Sequence, residues 1–175
     1  TYTMVSPFRA NFGLAYTLGQ FAVISADYEV SDYGQMKYRT EGMDRDYFED
    51  VNNEIRECFG VSHIIRIGAE VKPFSGLAIR AGYRAATSPE LYDSWGEKLP
   101  VSKTQNLSFG LGYSSKNSFF ADLAVRKTIM PKEYFMPYAD YMFDADGNII
   151  ESAYAPEIMI DRNLWKVLLT FGWRF

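Results

Sequence analysis

The sequence holds a single cysteine, Cys58, and a single histidine, His63. One cysteine excludes an internal disulfide framework and any multi-cysteine metal site. One histidine without a supporting constellation gives no nucleophile and base to work with, so no enzymatic chemistry is expected. Long apolar runs are missing too. The longest charge-free stretch, Ala10 to Ala26, has 17 residues and is broken by Asn11, Thr17, Gly19, Gln20 and Ser25. A spanning helix needs about 20 mainly apolar residues, which excludes a helical membrane protein. Positive charge is in deficit: 18 Lys and Arg face 22 Asp and Glu, the net charge is −4 and the isoelectric point is near 5.1. That balance argues against a nucleic-acid partner.

Aromatic residues, by contrast, are plentiful. Tyr and Phe occur 13 times each and Trp three times, 17% of 175 residues, and hydrophobic residues make up 47%. Disorder is excluded by this composition. Yet the mean hydropathy is only −0.20, so apolar rings and polar groups are both abundant.

Alternation with period two explains the mixture. Phe8, Ala10, Phe12, Leu14, Tyr16 and Leu18 alternate with Arg9, Asn11, Gly13, Ala15 and Thr17. This pattern marks a strand with one apolar and one polar face. It recurs over Ala22–Ser31, Ile65–Lys72, Leu77–Ala86, Leu107–Tyr113, Phe119–Arg126 and Trp165–Phe175. Seven strands are predicted, each near the roughly 9–11 residues with which a tilted strand crosses a bilayer. Three connections are tight turns, at Gly19-Gln20, Ser75-Gly76 and Ser115-Lys116-Asn117. Three are long, about Met36 to Ser62, Ala86 to Lys103 and Thr128 to Arg162, and tight and long alternate strictly. The first long loop is predicted to hold a short helix within Asp46 to Phe59. The third is predicted to hold a small hairpin, Tyr141 to Glu151, turning at Asp146-Gly147.

A soluble sandwich and a membrane barrel both alternate. Three features select the barrel. Aromatics sit near strand ends on the apolar face, at Phe8, Tyr16, Tyr28, Tyr83, Tyr113, Phe119, Trp165 and Trp173, as in interfacial girdles. The long loops all fall on one side. The chain ends in an alternating strand whose Phe171, Trp173 and Phe175 resemble the C-terminal signal read by the outer-membrane assembly machinery. The predicted class is therefore all-β: a transmembrane antiparallel up-and-down β-barrel in the bacterial outer membrane, with tight turns in the periplasm and long loops outside. Seven is an odd count, whereas single-chain bacterial barrels have an even number of at least eight strands. Residues 1–175 are thus expected to be one region, the C-terminal part of a larger barrel whose N-terminal strands complete it. An eighth strand inside the third loop is the other way to close the count.

Several stretches resemble the FadL/TodX outer-membrane transport family, in the form found in Bacteroides-type bacteria. They are Phe12-Gly-Leu-Ala-Tyr16, Ile24-Ser-Ala-Asp-Tyr-Glu-Val-Ser-Asp-Tyr33, Ile67-Gly-Ala-Glu-Val-Lys-Pro73, Leu77-Ala-Ile-Arg-Ala-Gly-Tyr-Arg84 and Asn106-Leu-Ser-Phe-Gly-Leu-Gly-Tyr113. The resemblance implies a 14-stranded barrel, of which these are the last seven strands. It also implies passive uptake of hydrophobic compounds such as long-chain fatty acids, with the family's plug and gate outside this chain. A structural or adhesive barrel and a hydrophilic porin are the alternatives.

The candidate site residues follow from the two faces and the loops. On the polar face Arg66, Arg80, Arg84, Arg126 and Lys166 face Asp27, Glu29, Glu70 and Asp122. Near balance of charge favours a cross-strand salt-bridge ladder; a seat for an anionic head group is the sharper reading. In the third loop Tyr134, Phe135, Met136, Tyr138, Tyr141, Met142 and Phe143 either capture a hydrophobic ligand or pack the loop down. His63 is expected to make a rim hydrogen bond rather than to ligate haem. Asp144-Ala-Asp146-Gly147-Asn148 is expected to be a turn, because its spacing departs from a calcium loop. No cofactor and no metal are expected. The expected partners are membrane lipids and a hydrophobic small molecule.

Overall fold

The computed structural model describes residues 2–40, 45–92, 98–115, 118–135, 138–154, 156 and 158–173. In chain order the elements are β1 (Tyr2–Val5), β2 (Phe8–Leu18), β3 (Ala22–Asp32), β4 (Lys37–Thr40), helix α1 (Glu49–Cys58), β5 (Val61–Phe74) and β6 (Leu77–Thr87). They continue with β7 (Lys103–Ser114), β8 (Phe119–Ile129), β9 (Glu133–Phe135), β10 (Ala139–Phe143), β11 (Ile149–Tyr154), β12 (Ile158–Ile160) and β13 (Asn163–Trp173).

All seven predicted strands are present and pair as one antiparallel meander in the order β2-β3-β5-β6-β7-β8-β13. Tight turns gather at one end of this sheet and long loops at the other. Two of the turns rest on glycine in the left-handed region, Gly19 at φ 55° and Gly76 at φ 90°. A Cβ at Gly76 would also run into the Ser114 carbonyl oxygen, so that position is closed to other residues. In the third turn Ser118 takes the positive φ, 71°; Lys116 and Asn117 lie outside the described residues.

The sheet is a single layer, and its burial is inverted relative to a soluble domain. Among the described residues Ala78 is the one buried hydrophobic, whereas Glu29, Ser31, Ser62 and Thr128 are buried polar groups. The apolar face stands open: Leu14 is 84% exposed, Val167 65% and Phe109 64%. Long side chains on the polar face cover one another, while no described residue covers the apolar face.

The loops build outward from the far end. Helix α1 falls inside the predicted segment and follows a 3-10 turn, Arg45–Phe48. Its acidic first turn, Glu49 and Asp50, and its basic last turn, Arg56, match the helix dipole. Cys58 and Gly60 tie the first long loop to the second: Leu91 N donates to Cys58 O at 2.8 Å and Gly60 N to Pro89 O at 2.8 Å. Two features were not predicted. β1 pairs with β4 as a separate ribbon, and β9 pairs with β12. Among the described residues the third loop contributes no strand to the seven-stranded sheet. Its strands pair with each other, and β10 and β11 form the predicted hairpin.

That hairpin turns around one carboxylate. Asp144 Oδ1 accepts from the backbone N of Asn148 at 2.8 Å and of Asp146 at 2.9 Å. Asn148 Nδ2 donates to Oδ2 at 3.1 Å, and Gly147 sits at φ 85°. The carboxylate is spent on the turn, as expected. These donors, the Asn148 backbone first, hold the Asp144 carboxyl below its ordinary value of 3.8. A pKa lowered on folding adds stability that is complete above the unfolded value and is lost as pH falls through the folded one. The Asn148 amide resonance is therefore expected to be flat from pH 5 to 8 and to shift below about pH 4. Asp144→Ala should abolish that titration, as NMR of the hairpin would show.

Candidate functional site

The polar face reads as rows across the sheet. One row runs Gly13, Asp27, Arg66, Arg84, Asn106, Thr128 and Leu164; the next runs Ala15, Ser25, Gly68, Gly82, Ser108, Arg126 and Lys166. Sequence reasoning placed all nine charged candidates on one face, and the register bears this out.

They separate into three groups. The first joins β2, β3 and β5: Glu29 lies 3.4 Å from Arg9 Nε and accepts from Arg66 Nη2 at 2.7 Å. The second joins β5, β6 and β8. Glu70 pairs with Lys72 at 3.0 Å and accepts from Arg80 Nε at 2.6 Å, and Arg80 Nη1 donates to Asp122 at 2.8 Å. The last bond passes over β7, which carries Gly110 and Gly112 between the two partners. A Cβ at position 112 would stand 2.5 Å from Asp122 Oδ1 and 2.8 Å from Arg80 Nη1. Gly112→Val is expected to break this bridge. Both partners are part-exposed, so the loss should be about 1 kcal/mol in a denaturant midpoint, and it should vanish when Asp122 is already Ala.

The third group is unpaired. Arg84, Arg126 and Lys166 form no ion pair among the described residues. Arg126 and Lys166 are directly opposed on β8 and β13, and Arg84 is reached from Arg126 across Ser108 and Asn106 of β7. Asp27, too, has no ion pair there and lies across from Arg66. The ladder expected from the sequence thus forms over part of the sheet, and among the described residues it leaves Arg84, Arg126 and Lys166 outside any ion pair. Arginine and lysine so placed suit a carboxylate or phosphate.

The apolar face has a polar border that the sequence reading left out. At the loop end three polar residues share this face with the apolar stripe, and each is held by a ring. The Tyr28 hydroxyl and His63 Nδ1 are hydrogen-bonded at 2.7 Å, with the rings stacked at 6.0 Å. Tyr83 donates its hydroxyl proton to Gln105 at 2.8 Å. Lys127 Nζ lies 5.5 Å from the Trp165 ring centroid. The hydrogen bond expected of His63 is present. Tyr and Trp with a polar tip favour the membrane–water boundary. The opposite border is made by Phe119, whose ring lies 5.2 Å from Trp173 and 6.4 Å from Phe171. Phe175 lies outside the described residues. From Trp165 to Trp173 is about 26 Å along the strand.

The loop candidates are less gathered. Tyr134 and Phe135 lie on β9, Tyr141, Met142 and Phe143 on β10, and Tyr138 just before it. Tyr141 and Phe143 are brought together, with ring centroids 6.4 Å apart. Tyr134, Tyr138, Met142 and Phe143 are exposed. Met136 lies outside the described residues.

Among the described residues no helix is long and apolar enough to cross a membrane, and no group of three His, Cys, Asp or Glu could hold a metal ion. Comparison with protein-family models, curated proteins and solved structures found no match.

Proposed function

We propose that the chain is part of the wall of a FadL/TodX-type barrel in the bacterial outer membrane. In this reading it takes up hydrophobic compounds such as long-chain fatty acids passively and performs no reaction. The observation that carries the reading is the open apolar face with its ring-held polar border. A patch of that extent on a folded chain calls for an apolar neighbour, and the border suits a headgroup layer. Lipid is that neighbour, and the assembly machinery reads the final strand.

The free edges fit the same reading. β2 and β13 both run from loop end to turn end, and each would expose backbone groups costing several kcal/mol apiece in lipid. Pairing them directly would be parallel, so an all-antiparallel closure takes an odd number of further strands. The N-terminal strands of the barrel fill that role. Arg84, Arg126 and Lys166 then line the lumen as contacts for the carboxylate of a passing fatty acid.

Uptake tests this. Cells with the gene deleted are expected to take up labelled long-chain fatty acid more slowly. Restoring it with R84Q/R126Q/K166Q should return a folded barrel whose fatty-acid uptake stays about tenfold low, the effect of some 1.4 kcal/mol. Uptake unchanged by the deletion overturns the reading.

A further inference from the structure

The two ends of the apolar face differ in charge. At the turn end its border is made by Leu18, Val71, Leu77, Tyr113, Phe119 and Trp173, and among the described residues no charged side chain on this face stands with them. At the loop end the same face carries Asp32, Lys103 and Lys127. The carboxylates of this end are engaged locally. Asp32 accepts from Gln35 Nε2 at 2.8 Å, and Asp161, just before β13, accepts from Asn163 Nδ2 at 3.2 Å. The two lysines form no ion pair among the described residues.

Lys127 is set into the apolar stripe rather than beyond it. It follows Leu123 and Val125 on β8 and lies opposite Leu107 of β7 and Trp165 of β13. A lysine at such a place lays its methylenes on apolar neighbours and sends its ammonium toward water. Here the ammonium stays 5.5 Å from the Trp165 ring centroid, a cation–π contact that keeps it on the side of the stripe. Lys103 stands on the neighbouring strand, nearer the loops than Leu107 by about 13 Å along β7. Between them Gln105 accepts from the Tyr83 hydroxyl through Oε1, so its amide nitrogen remains a donor. β7 and β8 thus present two ammonium groups and an amide donor on one face, beside the rings of Tyr83 and Trp165.

We propose that this patch on β7 and β8 binds the phosphate of an anionic lipid in the leaflet at the loop end. The proposal rests on the reading that the apolar face meets lipid. An ammonium level with Trp165 sits where headgroups lie, and a cation drawn onto an apolar face calls for an anion. Phosphate is the anion that membrane lipids carry at that depth, and ammonium and amide N–H groups both donate to its oxygens. The acyl chains of the same lipid lie along Leu107 and Phe109. A chain of net charge −4 repels such a lipid on average, so the attraction is local to the two lysines. The turn end, bordered by rings alone, has no such preference.

The test places the full chain in phosphatidylcholine vesicles that contain the same minor fraction of either brominated phosphatidic acid or brominated phosphatidylcholine, with identical brominated chains. With Trp95→Phe and Trp173→Phe, Trp165 is the one emitter left. Its quenching is expected to report an enrichment of phosphatidic acid of about threefold or more, shrinking as salt rises. With Trp95→Phe and Trp165→Phe, Trp173 should be quenched alike by the two lipids. K103Q/K127Q should bring the two lipids level at Trp165 while quenching by brominated phosphatidylcholine persists, and K103R/K127R should keep the enrichment. If the double glutamine variant fails to fold, K127Q alone carries the test, and the enrichment should fall about twofold or more. Equal quenching of Trp165 by both lipids, an enrichment that K127Q leaves unchanged, or the same enrichment at Trp173 overturns the proposal and leaves the lipid contact standing. Trp165 quenched by neither lipid overturns the proposal together with the reading it rests on.

Discussion

Arg66→Leu is expected to destabilise the folded sheet by about 3 kcal/mol, and Glu29→Gln by about half as much. The asymmetry comes from where each partner sits. The Glu29 side chain is 9% exposed, whereas Arg66 is 37% exposed. Removing the arginine leaves a buried carboxylate whose remaining ion pair among the described residues is with Arg9, at 3.4 Å and from a side chain 60% exposed. Removing the carboxylate leaves two arginines that water can reach. Full loss of a buried pair costs about 3–5 kcal/mol; the remaining Arg9 contact sets the lower figure here. The double variant should recover part of the loss, because it leaves no lone buried charge. Denaturant titration of the four proteins in detergent measures this. Equal losses for the two single variants would mean that Glu29 is solvated.

The second large effect is expected from two adjacent leucines. Leu169 lies on the apolar face, opposite Leu123, and Leu168 on the polar face, opposite Ala124. Both are more than half exposed, so exposure does not distinguish them. Their solvents do, if the apolar face meets lipid. Leu169→Arg near the middle of the strand should cost about 2–4 kcal/mol of folding free energy in a bilayer. Leu168→Arg should stay within about 0.5 kcal/mol. Refolding into vesicles and back-titration with urea gives both values. Similar costs for the two would contradict the assignment of faces.

Much of this was legible in the sequence, for a physical reason. Period-two alternation over about ten residues constrains register and face together, so Phe8–Leu18 and Phe119–Arg126 were read as strands with their faces assigned. The helix and the Asp146-Gly147 turn carried their own local signals, an acidic segment without Gly or Pro and a dipeptide suited to positive φ. What escaped reading depends on contacts between distant residues. Tyr2–Val5 and Lys37–Thr40 are each too short to show a period, and they pair across the 31 residues between them. The ribbon they form therefore has no linear motif. Gly112 gives no hint in the sequence that it clears a path from Arg80 to Asp122. His63, Gln105 and Lys127 interrupt the apolar stripe of three strands, and only their shared height at the loop end makes them a border. Which cations would be left without a partner depended on register across four strands.

The central claim is that the open apolar face meets acyl chains. Bromolipid quenching of tryptophan fluorescence tests it most directly. In the full chain with Trp95→Phe, reconstituted in bilayers, Trp165 and Trp173 should be quenched best by bromines near the headgroup end of the acyl chain. A tryptophan placed at Phe109 should be quenched best by bromines deep in the chain. A tryptophan at 109 that is quenched by aqueous iodide and untouched by bromolipid would contradict the claim.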